Sequence, residues 1–530
     1  MILYILEVPA EAHLAVTHNS PGTYLTLVTS FRSGLTQSSS SNPLIDILDD
    51  DSLLNIFYLY RPAILADIDV EVQAGEYGPP KWGEWTRERW WHKLSHVCRR
   101  WRRLMFASTS YLGLCLICTY GTSVARMLEC FPTVPIVLDY SHESLHWTVE
   151  NADGIMLALQ QRARIRRIRL VVTPTYESEL VKAIDMEFPM LEYLFIGLSD
   201  RGEFQPVLEI NHTFQAPRLR HLALTKYPLI LTSPTLTTCT GLVTLSLMFV
   251  SPQCPRHHPY DLFRRLSLLS QLVVFRICII DFSTHRLEGG PLDIPSITHL
   301  TLHNLRVFEF AGHSNYLETL LPWITTPLLE KFQTTFLPYV TAPNLPYSLL
   351  FLLPYMRTSD VPRFGSAKFL FSGSGATAWV YPREGSRVYV FYLHITTRPL
   401  GLQVSEMAEI FRDLSPAFST VVDLTIGYSD HNTLYERAMP TQWRDLLRSF
   451  NHVKTLRVHG LFAKNFSDSL LSDGEPLSEV LPDLQVLECM MGCDASIAFA
   501  AFVDVRNAGG YPVRLDFVDL PGPSPANTGL

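Results

Sequence analysis

One short unit, apolar-x-x-apolar-x-apolar, recurs along most of this chain, and such a period constrains a fold more tightly than any local propensity. It reads Ile165-Ile168-Leu170, Leu191-Leu194-Ile196, Leu219-Leu222-Leu224, Leu242-Leu245-Leu247, Leu269-Leu272-Val274 and Ile297-Leu300-Leu302. Successive first residues lie 26, 28, 23, 27 and 28 positions apart. Further copies are Leu329-Phe332-Thr334, Val421-Leu424-Ile426, Val453-Leu456-Val458 and Leu484-Leu487-Cys489. The closing apolar-x-apolar alternation is that of a strand with one buried face. Helix-like stretches, such as 178–184 and 259–267, lie between the strands. A single strand with a single helix cannot bury its apolar face alone, whereas stacked copies can.

A period of about 20–29 residues is that of leucine-rich repeats. The expected fold class is α/β: a leucine-rich-repeat solenoid over 130–520, with a parallel sheet on its concave face. The array is irregular, and no Asn ladder follows its strands. Its register is lost between Leu329 and Val421, so degenerate repeats with a hairpin or long loop are expected around 335–415. A domain break there is the alternative. Residues 1–42, ending in a Ser-rich stretch, read as a disordered extension, and 521–530 as a disordered tail.

Residues 43–112 read differently, as a short all-α module. Asp49, Asp50 and Asp51 precede Leu53, Leu54, Phe57 and Tyr60 at helical spacing. A second apolar stripe, Trp90, Leu94, Val97, Trp101 and Leu104, is expected on one continuous helix flanked by Arg99, Arg100, Arg102 and Arg103. Between them, 66–85 reads as a surface loop. The order Leu-Leu-x-Ile-Phe, then Leu-x-x-Val-Cys-Arg-Arg-Trp-Arg-Arg-Leu at 94–104, resembles the F-box. The continuation through 110–121 is similar to the F-box-like proteins numerous in mushroom-forming fungi. The sequence departs from that family in Ile47-Leu48, where Leu-Pro is usual, and in an expanded connection.

The resemblance implies docking to a Skp-type adaptor and, through it, to a cullin scaffold. On that implication Leu48, Leu53, Leu54, Phe57, Leu94, Val97 and Trp101 lie at the adaptor contact, and the repeats hold an unknown protein substrate for ubiquitination. The chain would then be one copy in a hetero-complex, in the cytoplasm or nucleus. The other reading keeps a stand-alone repeat scaffold or receptor, with the helical module only as an N-terminal cap.

Composition narrows the remaining classes. The net charge is -8 with a pI near 6.1, which argues against nucleic-acid binding. No apolar run reaches the length of a membrane helix, and the first residues carry no basic leader. The nine cysteines are scattered and read as reduced core thiols. Cys115 and Cys118 lack a second pair, Cys254 with His257 and His258 lacks a fourth ligand, and His92 with His96 lacks the Glu of a metalloprotease helix. The glycines at 373 and 375 lack the Lys of a phosphate loop. No nucleophile, base and oxyanion site assemble, so neither catalysis nor a cofactor is expected. Arg164, Arg166 and Arg167, within a basic run from Arg162 to Arg169, are candidates to contact an acidic partner.

Overall fold

In the computed structural model, strands at the repeat units hydrogen-bond to their neighbours in one sheet, which has sixteen strands among the described residues. The structure describes residues 48–60, 90–141, 147–198, 214–225, 238–249, 259–279, 299–336, 364–382, 389–396, 399–428, 438–459, 466–467, 470–471, 480–490 and 493–518. The N-terminal extension, the 66–85 connection, Cys254, His257, His258 and the C-terminal tail lie outside the described residues. The chain divides into two units. One holds Met1–Pro62 with Trp91–Leu112, the other Ala63–Trp90 with Gly113–Leu530.

The regular elements among the first unit's described residues are all helices: α1 (Asp50–Tyr60), α2 (Trp90–Ser95), α3 (Arg99–Ala107) and α4 (Thr109–Leu112). The acidic turn caps α1, because the Asp49 carboxylate accepts the Ser52 N–H at 2.6 Å. That bond holds the Asp49 pKa below the usual carboxylate value. The expected single helix through 90–104 is instead two. The chain breaks at His96–Cys98, where Cys98 takes an extended backbone and its sulfur caps α3. Val97 therefore leaves the apolar stripe and is half exposed. Arg100 joins the helices by donating to the Asp50 carboxylate and to the Leu48 carbonyl.

The second unit carries β1 (Leu116–Thr119), α5 (Val124–Cys130), β2 (Ile136–Tyr140), α6 (Val149–Leu159), β3 (Ile165–Val172), α7 (Glu177–Ile184), β4 (Tyr193–Leu198), β5 (His221–Thr225) and β6 (Thr244–Phe249). There follow α8 (Pro259–Leu266), β7 (Val274–Ile279), β8 (Leu300–Thr301), β9 (Val307–Gly312), α9 (Ser314–Leu320), β10 (Ile324–Thr325) and β11 (Lys331–Phe336). The remainder is β12 (Ser366–Ser372), β13 (Gly375–Tyr381), β14 (Phe391–Ile395), α10 (Leu400–Phe418), β15 (Asp423–Tyr428), α11 (Pro440–Leu447), β16 (Thr455–His459), β17 (Val486–Met490), α12 (Cys493–Ala508) and β18 (Arg514–Val518).

Parallel pairing in register stacks the same motif position from strand to strand. One core row runs Ile168, Leu194, Leu222, Leu245, Phe275, Phe308 and Phe332, and a second runs Leu170, Ile196, Leu224, Leu247, Ile277 and Phe310 to Thr334. Both rows are buried. Two sequence units shift under this register. The strand residues opposite Leu245 and Leu247 are Phe275 and Ile277, so the unit is Leu272-Phe275-Ile277, not Leu269-Leu272-Val274. The next is Leu305-Phe308-Phe310, whereas Leu300 belongs to a two-stranded sheet of β8 with β10. Leucines three apart, at 266, 269 and 272, let either phase fit the motif, and all three are buried.

The span without register supplies three strands. The sheet order there is β11, β14, β13, β12, β15. Strand β13 runs antiparallel to both neighbours, while β14 is parallel to β11 and β12 to β15. The glycines at 373 and 375 close the β12–β13 hairpin. A Cβ on Gly375 would stand 2.2 Å from the Ile395 carbonyl oxygen, so only glycine fits there. Helix α10, about 28 Å long at 1.5 Å per residue, packs beneath this insertion. Its Phe411 meets Phe369 edge-on at 4.9 Å and Phe391 at 6.3 Å.

Thr334 breaks the apolar pattern. It is fully buried beside Phe310 and Leu393 in the core row, and its hydroxyl has no hydrogen-bond partner among the described residues. A buried unpaired hydroxyl costs about 1–3 kcal/mol. Thr334→Val keeps the shape and removes that group, so its urea-unfolding midpoint is expected to rise, by about 1 kcal/mol of stability.

Candidate functional site

The residue between the last two apolar positions of each unit faces away from the core. In-register pairing turns these residues into one row across the sheet: Arg169, Phe195, Ala223, Ser246, Arg276, Glu309, Gln333, Tyr392, Trp379, Lys368, Thr425, Arg457, Glu488 and Asp516. Sequence reading missed this row because it attends to the apolar positions. For Arg169, Phe195, Ala223, Ser246, Gln333, Thr425, Arg457 and Glu488 the signal was the intervening x of the unit, whereas Arg276 and Glu309 fall in the two units whose phase shifts and Tyr392, Trp379, Lys368 and Asp516 lie outside any unit.

The row is polar and cross-linked. Near its start, Arg169 lies 3.9 Å from Asp139, both buried. At its centre Arg276 donates to Glu309 at 2.9 Å, and the Lys331 ammonium lies 3.5 Å from the other oxygen of the same carboxylate. Tyr389 covers this group: its hydroxyl donates to Gln333 at 3.0 Å, and Lys331 sits 4.7 Å from its ring centre. Burial holds the Lys331 pKa below its ordinary value, with Glu309 pulling it back up. Burial pushes the Tyr389 phenol up to about 12, so it stays a donor at neutral pH.

Beyond lies an aromatic patch that the reversed strand creates. Tyr392 contacts Tyr389 at 5.6 Å and Trp379 edge-on at 5.9 Å, and the Lys368 ammonium lies 5.7 Å from the Trp379 ring. His394 shares a hydrogen bond with Thr377 at 2.9 Å, and burial lowers its pKa, favouring the neutral ring. Near the C-terminal strands Arg457 bonds Glu488 at 2.7 Å and lies 3.8 Å from Asp423.

The residues singled out from sequence fall in two places. On the helical module Leu53 and Phe57 are fully buried, and Trp101 packs edge-on against Phe57 at 4.8 Å. Leu48, Leu54 and Leu94 are half-buried, and Val97 is exposed. In the second unit Arg164 donates to the Phe131 and Val134 carbonyls, Arg166 bonds Glu192 at 2.7 Å, and Arg167 stands on β3 beside Tyr193. Cys118 is buried in β1 and Cys115 half-buried. Among the described residues no group of His, Cys, Asp or Glu is arranged to hold a metal, and no helix is long and apolar enough to cross a membrane.

No family model and no curated protein matches the chain. Among solved structures it is similar to the leucine-rich repeat-containing protein LegL7 from Legionella pneumophila, at 13% identity and a TM-score of 0.25, over 77% of this chain and 100% of that one. It is also similar to TLR13 in a complex with ssRNA13, at 10% identity and a TM-score of 0.25, over 74% of this chain and 47% of that one.

Glu309 depends on Arg276 and Lys331 for its place under the sheet surface. Arg276→Ala removes a charge-assisted bond from a carboxylate that is 4% exposed, and is expected to cost about 2–3 kcal/mol in chemical denaturation. Adding Glu309→Gln removes the stranded charge, so the double variant is expected to recover part of that loss.

Proposed function

We propose that the chain is a non-catalytic recognition subunit of a ubiquitin ligase. In this reading the helical module docks to a Skp-type adaptor, and the polar row of the repeat sheet receives the protein to be ubiquitinated. The observation that supports attachment through the module is its exposed apolar set: Leu59 is 81% exposed, Val97 50% and Ile56 36%. A small module that buries Leu53, Phe57 and Trp101 internally and still leaves such groups in water gains by covering them with a partner.

The docking residues then sort into two roles. Leu53, Phe57 and Trp101 hold the helices together, so they shape the contact from beneath. Val97, with Leu48, Leu54 and Leu94, supplies the touching surface, joined by Ile56 and Leu59. The mechanism is proximity. Held on the sheet, the target stays near the charged conjugating enzyme, and the raised effective concentration accelerates a transfer whose chemistry other subunits perform. The work would take place in the cytoplasm or nucleus.

A second reading, a stand-alone repeat scaffold whose helical module binds no adaptor, draws on the inward placement of Leu53, Phe57 and Trp101. Co-precipitation with a Skp-type adaptor separates the two. Leu59→Asp combined with Val97→Asp is expected to abolish capture while leaving the melting curve unchanged. Phe57→Ala is expected to cost about 3 kcal/mol of module stability instead. No capture by the intact chain would sink the ligase reading and favour the scaffold.

A further inference from the structure

The outer face is not uniform in charge. In β7, β9, β11, β14, β13 and β12 the described outward residues include three cations, Arg276, Lys331 and Lys368, and one carboxylate, Glu309. This segment therefore carries two excess positive charges on a chain whose net charge is -8. The next strand adds Asp423, which Arg457 holds at 3.8 Å. The same segment carries the half-buried aromatic rings of Tyr389, Tyr392 and Trp379.

We infer that this segment of the sheet binds an extended acidic peptide of the target, with carboxylates near Arg276 and Lys368 and an apolar or aromatic residue against Tyr392 and Trp379 between them. The inference rests on the reading of this face as the target-binding surface and adds the chemistry of what it takes. Arg276 and Lys368 stand five strand spacings apart, about 24 Å, which an extended chain crosses in about seven residues. Charge complementarity selects the acidic segment, because a like-charged one would meet the excess cations without compensation. The rings supply contact area at small entropic cost. A nucleic-acid strand fits less well, since firm phosphate binding draws on about six or more basic contacts, whereas this segment has three cations and one of them, Lys331, is buried.

The test uses the full chain and an unbiased displayed library of peptides about twelve residues long, enough to cross the segment. Enriched sequences are expected to carry Asp or Glu on both sides of an aromatic or aliphatic residue. The affinity of an enriched peptide is expected to fall about tenfold in Lys368→Glu and about tenfold in Trp379→Ala. Arg264→Glu, at an exposed position on α8, is expected to leave it unchanged. Neutral or basic enriched sequences, no enrichment, insensitivity to both substitutions, or preferential retention of a mixed-sequence single-stranded RNA would each overturn the inference. Adaptor capture is scored on the same preparations. Capture without acidic-peptide binding sinks this inference alone, and acidic-peptide binding without capture sinks only the ligase reading.

Discussion

Everything in the second unit depends on the hydrogen-bond ladder between neighbouring strands, which holds the same motif position in line from β3 to β11. Side chains alternate along a strand, so a slip of one residue would carry an apolar row to the outer face. The ladder therefore does two things at once. It assembles Leu194, Leu222, Leu245 and Phe275 into a continuous core, and it aligns the intervening residues into a surface no single repeat possesses. Loops of unequal length between strands are tolerated because the ladder, not the spacing, sets the register.

The reversed strand is the main departure from that rule and the source of the most distinctive surface. A parallel sheet can accept β13 because β14 and β12 flank it, each with the direction of its outer neighbour. Three strands then enter with one long helix, and the core beneath is filled by Phe369, Phe391, Phe411 and Phe418. On the other side, the same strands bring Trp379 and Tyr392 beside the Arg276–Glu309–Lys331 group. Placing one carboxylate between two cations under Tyr389 limits the cost of burying charge, since a buried ion without a partner is strongly destabilising.

The helical module is governed by a different balance. It is small, so each apolar side chain drawn into its interior is one fewer for a partner. Arg100, tied to Asp50 and to the Leu48 carbonyl, fixes α1 against α3 and sets which residues are left over. The break at Cys98 places Val97 among them.

How much could be read in advance follows from which forces are local. The Leu-x-x-Leu-x-Leu spacing determined that strands form and which faces they bury, since alternation and apolarity are properties of the chain itself. The Asp49 cap was legible for the same reason. Phase was not legible where Leu266, Leu269 and Leu272 offered two equivalent frames, because only pairing with β6 distinguishes them. A hairpin was among the expectations for 335–415, but the place of its reversed strand between β14 and β12 is decided by its neighbours' directions. The polar row was present in the sequence as the x of the units that kept their phase, such as Arg169, Gln333 and Arg457, but not at its centre, where Arg276 and Glu309 sit in shifted units and Tyr392, Trp379 and Lys368 in none. Its identity as a surface came from the tertiary structure, because residues as distant in sequence as Arg276 and Lys368 become parts of one face only when strands stack in register.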